Sequence, residues 1–177
     1  MKWLAFAPIA LAALVSGCGN SAPPAPPPPA AAASAPKFYV PTQAQPKLPT
    51  MKLWLGPEEL SVEVALTPIQ QETGMMFRTN LEENAGMIFV SRVPTRVSYW
   101  MTNCPLPLSA AYIDSEGVIL EIHELKANDA TPVPANSDQI QYVLEVNDGW
   151  FDRHHIAVGT ALSTEMGSLP DTFFRRR

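Results

Sequence analysis

The chain has 177 residues, and 17 acidic against 12 basic side chains give a net formal charge of −5 at pH 7. The imbalance sharpens in the part able to fold, because residues 48–172 hold all 17 acidic residues and six basic ones, a net of −11. So acidic a surface repels a phosphate backbone, which excludes nucleic acid as a partner. The length allows one domain.

The chain opens MKWLAFAPIALAALVSGCGN. Lys2, an apolar segment from Trp3 to Val15 and small residues before Cys18 have the shape of a secretory signal, too short to span a bilayer. Val15-Ser16-Gly17-Cys18 resembles the bacterial lipobox. That resemblance implies that residues 1–18 are a lipoprotein signal ending in Cys18, the lipidated first residue of the mature chain. It also implies membrane attachment through that residue. Gly19 rather than Asp follows, so sorting to the outer membrane, facing the periplasm, is expected.

Residues 19–47 contain nine prolines and eight alanines, and no charge falls between Lys2 and Lys37. Such a segment buries too little to offset its ordering entropy and reads as a disordered tether. Its Pro23–Pro29 part forms an extended spacer. The globular domain is expected over 48–172, followed by a basic tail over 173–177.

Within the domain, Leu60, Val62, Val64 and Leu66 alternate with Ser61, Glu63 and Ala65, the pattern of a half-buried strand. The preceding LWLGPEEL supplies its partner, turning at Gly56-Pro57. Thr67-Pro68-Ile69-Gln70 has a helix start's parts, with a hydroxyl N-cap, proline at N1 and Gln70 at N3, and Gly74 stops the helix. Gly86–Val90 is a short apolar run that suits a buried strand, and RVSYWM (96–101) follows. AAYIDSEGVILEIHEL (110–125) is a hairpin bending at Asp114–Gly117, with Val118, Leu120 and Ile122 on one face of the return strand and Ile119, Glu121 and His123 on the other. Residues 126–138 form a loop, 139–146 a strand ended by Asn147-Asp148-Gly149, Trp150–His154 a helical turn, and IAVGTALS a closing strand. Six to eight short strands with one or two short helices predict a mainly β (α+β) domain, a compact rolled antiparallel or mixed sheet or a small barrel.

Gly74-Met75-Met76-Phe77-Arg78, Gly86–Phe89, Trp100-Met101-Thr102-Asn103, Pro107-Leu108, Ile113-Asp114, and Val143-Leu144-Glu145 with Gly149-Trp150-Phe151 occur in an order and spacing that resemble the family called domain of unknown function 192 (DUF192). The resemblance covers about 60–165. It implies a compact β-rich domain, often exported, with no settled activity. One position departs, since the family often has Asp after Pro-Leu where this chain has Ser109.

Arg78, Trp100, Asn103 and Glu145 are the candidate ligand-binding residues. A guanidinium, an aromatic face, an amide and a carboxylate are the parts of a cradle for a small polar ligand or glycan. The competing reading pairs Arg78 with Glu145, has Asn103 cap a turn, and puts Trp100, Met101 and Cys104 in the core. Cys104 is the one thiol left once Cys18 is lipidated, and it reads as a buried small hydrophobe. Glu121 and His123 share a strand face but are too few for a closed metal site, so His123 is expected to face solvent and no metal or cofactor is assigned. Ser109, His123 and Asp114 could be drawn as a hydrolase triad, yet no nucleophile elbow frames them, and no catalytic residue is assigned. The expectation is an envelope lipoprotein that binds a small polar ligand; a protein-interaction module and a hydrolase on Ser109 and His123 are the alternatives.

Overall fold

The computed structural model describes residues 40–175. The signal segment, Cys18, most of the tether and the last two arginines lie outside the described residues. Ten strands and three short helices follow one another: β1 (Thr50–Leu55), β2 (Glu58–Ala65), α1 (Pro68–Thr73), β3 (Ala85–Thr95), β4 (Ser98–Tyr99), β5 (Leu108–Ile113), β6 (Ile119–Leu125), β7 (Val133–Pro134), β8 (Ile140–Asn147), α2 (Trp150–Arg153), β9 (Leu162–Thr164), β10 (Gly167–Ser168) and α3 (Leu169–Phe173). Eight strands form one mixed sheet in the order β10-β9-β1-β2-β3-β8-β5-β6, and β4 pairs with β7 beside it. Every pairing is antiparallel except β2 with β3, which α1 connects. An isolated bridge, Val118↔Ala161, joins the β6 side to the segment entering β9. Among the described residues no closed barrel forms.

Both faces of the sheet are covered, so its interior strand β8 is buried at seven of eight positions, as a two-sided strand must be. On one face Leu53, Leu60, Val62, Ile88, Leu144 and Trp150 form a core. On the other, Met87, Phe89, Tyr112 and Val143 of the sheet pack against Met75, Met101 and Cys104 of the covering segments. Two-sided burial corrects the half-buried strand expected at 60–66. Glu63 is 7% exposed and Ala65 0%, whereas Leu66, past the strand's end, is 57% exposed.

Thr67 caps α1 as its sequence implies, its Oγ1 accepting from Gln70 N–H while Gln70 Oε1 accepts from Thr67 N–H. Gln71 Nε2 then donates to Val90 O at 2.8 Å and to Ala65 O at 3.3 Å, fastening the helix to the end of β2 and the middle of β3. Past Val90 the β3–β8 register breaks. β3 advances five residues to Thr95 while β8 moves only from Tyr142 to Ile140, so Ser91–Pro94 bulge outward. Pro94 is tolerated there because its missing N–H breaks no ladder bond.

Other expectations change at the edges. By Gln45 the chain is already bound to the domain, since Gln45 Nε2 donates to Gln70 O and Gly74 O at 3.0 and 2.9 Å. The boundary expected at residue 48 therefore falls late. Phe173 and Phe174, assigned to a tail, pack on Tyr142 with ring centroids 5.9 and 6.2 Å away. A register shift between Tyr112 and Ile113 pairs Ile113 with Ile119 but Tyr112 with Glu121. This bulge moves Ile119 off the face of Glu121 and His123, where strict alternation had put it.

Candidate functional site

Glu145 sits in β8 opposite Met87 of β3 and Ala110 of β5, on the face covered by α1 and the 96–104 segment. Two neighbouring residues on the same face, Phe89 and Val143, are 3% and 2% exposed, and Glu145 itself is 5% exposed. Gly86 permits the close approach of β3 at this point. A Cβ there would stand 2.5 Å from the Glu145 carbonyl oxygen.

Above Glu145 lies a cleft of about 330 Å³, floored by Phe89 and Glu145 and walled by Met75, Tyr99, Met101 and Cys104, with Trp100, Glu72 and Arg96 also in its lining. The bulge at Ser91–Pro94 holds the far side open, and Ser91 and Thr95 line it. β4 brings Tyr99 over the cleft by pairing with Val133, and Ala135 N–H donates to Val97 O beside it. The volume falls within the range of small-molecule sites.

Glu145 has no ion-pair or hydrogen-bond partner among the described residues. Burial alone acts on it and pushes its carboxyl up to about 8, so at neutral pH it is largely protonated. Burial, and then the Glu145 charge, raise the neighbouring ionisable groups. Tyr99 rises well above the ordinary phenol range, Tyr112 rises too, and the Cys104 thiol is pushed up to about 11. Cys104 is therefore a buried thiol and no nucleophile at neutral pH.

Arg78 does not pair with Glu145. Its guanidinium holds Glu63, with Nη2–Oε2 at 2.8 Å, and the two side chains are 16% and 9% exposed. Burial alone would raise Glu63, but hydrogen bonds from Arg78 and from Leu48 N–H outweigh it and hold the carboxyl below its usual range. Arg78 and Glu63 line a separate cleft of about 440 Å³ with Gln45, Lys47 and Phe77. Arg78 Nε, also buried, has no acceptor.

Of the four candidates, then, Glu145 and Trp100 share one cleft, Arg78 lines the other, and Asn103 lines neither. Asn103 is exposed and left-handed, with φ 58°, and its carbonyl accepts from Phe77 N–H at 2.7 Å. It turns the covering loop. Trp100 is not core, being 50% exposed, whereas Met101 and Cys104 are buried as expected.

Ser109 and His123 cannot form a triad. Ala110 is the residue opposite His123, so Ser109, one position along, points to the other face. There its Oγ accepts from Gly149 N–H at 2.9 Å. Asp114 Oδ1 accepts from Glu116 and Val118 N–H and shapes the hairpin turn. His123 is not solvent-facing either. Its ring lies 4.6 Å from that of Tyr112, and Nε2 is 2.8 Å from Glu121 Oε2. Glu121 also accepts from the N–H groups of Asn136 and Ser137, anchoring the 126–138 loop.

Tyr99 and Met75 were given no part in a site by the sequence. The signal that bears on them is the Ser98-Tyr99 pair between Pro94 and Pro105, too short to stand alone as a strand and so bound to lie over something larger.

The model of the family described as "Uncharacterized ACR, COG1430" (DUF192) matches residues 52–164. A crystal structure of a protein from Sinorhizobium meliloti 1021, described as a proposed transcription regulator, is 28% identical with a TM-score of 0.65, covering 68% of this chain and 98% of that one. Another, of a protein of unknown function from Novosphingobium aromaticivorans DSM 12444, is 29% identical with a TM-score of 0.59, covering 64% and 83%. No curated protein matches.

Proposed function

The chain belongs to the DUF192 family, and from that premise we propose that its domain is a small-molecule receptor whose ligand enters the cleft over Glu145. One observation carries this reading: Glu145, a residue 5% exposed whose carboxyl has no partner among the described residues, lines a cleft of about 330 Å³. Buried polar groups in folded proteins are almost always satisfied, and one that faces a cavity finds its partner in what fills the cavity. Trp100, 50% exposed on the lining, offers an aromatic face to the same ligand. The cleft holds one small molecule or a single sugar ring rather than a length of glycan. Arg78, already engaged by Glu63, and Asn103, at the turn of the covering loop, have supporting parts.

The receptor is a lipoprotein of the bacterial envelope, held through Cys18 to the outer membrane and spaced from it by the Pro/Ala segment. The Val15–Cys18 sequence supports the anchor, and metabolic labelling with a radioactive fatty acid tests it. Label should appear in the wild type and vanish in Cys18→Ser. The regulator described for the Sinorhizobium relative does not suit this chain, whose 48–172 segment carries a net −11.

The test of the cleft is thermal unfolding against a panel of envelope sugars, peptidoglycan fragments, amides and amines. A ligand at 100 times its Kd adds about 2.7 kcal/mol. A shift that disappears in Glu145→Gln and Trp100→Ala supports the reading, and no shift with any compound refutes it.

A further inference from the structure

Resting on that reading, we propose that the cleft takes an organic ammonium cation, ion-paired with Glu145 and enclosed by the rings of Phe89, Tyr99 and Trp100. The carboxyl is the first ground. The other buried acid near this end of the sheet, Glu63, has a guanidinium to itself, whereas Glu145 has neither a cation nor a donor among the described residues. The partner it lacks is one or the other.

The walls decide between them. Phe89, Tyr99 and Trp100 all line this cleft, and Phe89 and Tyr99 meet edge to face, with centroids 5.3 Å apart and planes at 76°. Three aromatic rings thus line one space, and an aromatic face attracts a cation through its quadrupole. Of the remaining lining, Met75, Met101 and Cys104 are soft and apolar, Gln71 and Thr73 already donate to the backbone carbonyls of Val90 and Ile69, and Ser91, Thr95 and Ser98 add hydroxyls. Those three hydroxyls are the neutral side-chain groups left over for a sugar, and none of them belongs to the apolar and aromatic wall beside Glu145. An anion is disfavoured by Glu145 itself, and the one guanidinium in the lining, Arg96, is exposed and accompanied by an exposed carboxylate, Glu72. A compact cation with an apolar shell fits what is left.

Capture of a permanent cation requires the carboxylate. As the ligand enters, the proton on Glu145 leaves to water and the ion pair replaces it. The other ionisable groups facing the site are Tyr99 from β4, Tyr112 from β5 and Cys104 from the covering loop, all raised and hence protonated at neutral pH, with Glu72 and Arg96 exposed in the lining. Affinity should therefore climb with pH as Glu145 ionises. A neutral acid that donates to a ligand carbonyl predicts the reverse trend.

The experiment is calorimetric titration of the full chain with choline and with n-butylammonium, each beside its uncharged isostere in which carbon replaces nitrogen, at pH 6, 7 and 8. At least one cation should bind on the order of tenfold tighter than its isostere. Its affinity should rise by about tenfold from pH 6 to pH 7. Glu145→Gln should abolish binding, and Trp100→Leu should weaken it several-fold while melting as the wild type does, which separates a ligand contact from a folding defect. Equal binding of the isostere, affinity that falls with pH, or no binding of either cation overturns the proposal. If sugars or amides still shift the melting temperature through Glu145, the cleft reading survives without the ammonium; if nothing does, both fall.

Discussion

The guanidinium of Arg78 grips both oxygens of Glu63, and Glu63 Oε2 in turn accepts Leu48 N–H. Three segments meet in this pair: the turn after α1, strand β2, and the chain entering β1. Arg78 is thereby engaged away from Glu145, and the buried carboxyl without a partner among the described residues lies on β8. The first two predictions below depend on that division of partners.

Breaking the pair from one side should be the more damaging change. Arg78→Met leaves Glu63 buried without a cation and is expected to cost about 3 kcal/mol. Arg78→Met with Glu63→Leu should recover much of it, because two apolar groups replace two charges. Urea unfolding of the four members of the cycle measures the coupling. Additive effects would mean that the pair contributes nothing.

Glu145 makes stability fall as pH rises. Its folded value is about 8 against an ordinary 4.5, so the folded state binds the proton more tightly. Below pH about 4.5 both states are protonated and no penalty exists. The penalty grows between about 4.5 and 8 and is complete above 8, where it reaches a few kcal/mol. Glu63 acts oppositely. Its lowered carboxyl stabilises above the unfolded range, and that contribution is lost as pH falls through its folded value. Melting temperatures of Glu145→Gln should be nearly flat from pH 5 to 8 and exceed those of the wild type at pH 8; a parallel decline in both proteins would contradict the assignment.

Gly86 of β3 pairs with Val146 of β8. Gly86→Ala places a methyl 2.5 Å from the Glu145 backbone oxygen, too near for any rotamer to relieve. The strands must separate, at a cost of about 1–3 kcal/mol or more, and the floor of the cleft moves with them. Denaturant midpoints and hydrogen exchange at β8 amides report both effects.

Asn103 separates a turn role from a ligand role. At φ 58° it occupies the left-handed region, where Asn is tolerated and Gly costs little. Asn103→Gly should melt close to the wild type, and Asn103→Ala should lose about 1–2 kcal/mol. If Asn103→Gly keeps its melting temperature yet loses a ligand bound over Glu145, the side chain does more than turn the loop.

Much of this was legible in the chain itself, because the physics involved is local. The capping box of α1 needs only Thr67, Pro68 and Gln70 at fixed spacing; the Asp114–Gly117 bend and the stop at Asn147–Gly149 need only turn chemistry; the apolar run Gly86–Val90 of β3 announces a buried strand. Glu145, Trp100 and Arg78 could be nominated as polar or aromatic residues among family motifs. Which of them meet could not. Whether Arg78 reaches Glu63 or Glu145 depends on which strands neighbour each other across the sheet, and β2 and β8 are separated by β3 in an order no local pattern encodes. The bulge after Val90, which leaves room for a cleft, and the one before Ile119, which reverses a strand's faces, arise from pairing between strands distant in sequence. Burial is settled the same way. Glu145 is desolvated, and Trp100 is not, because of where α1 and the covering loop come to rest.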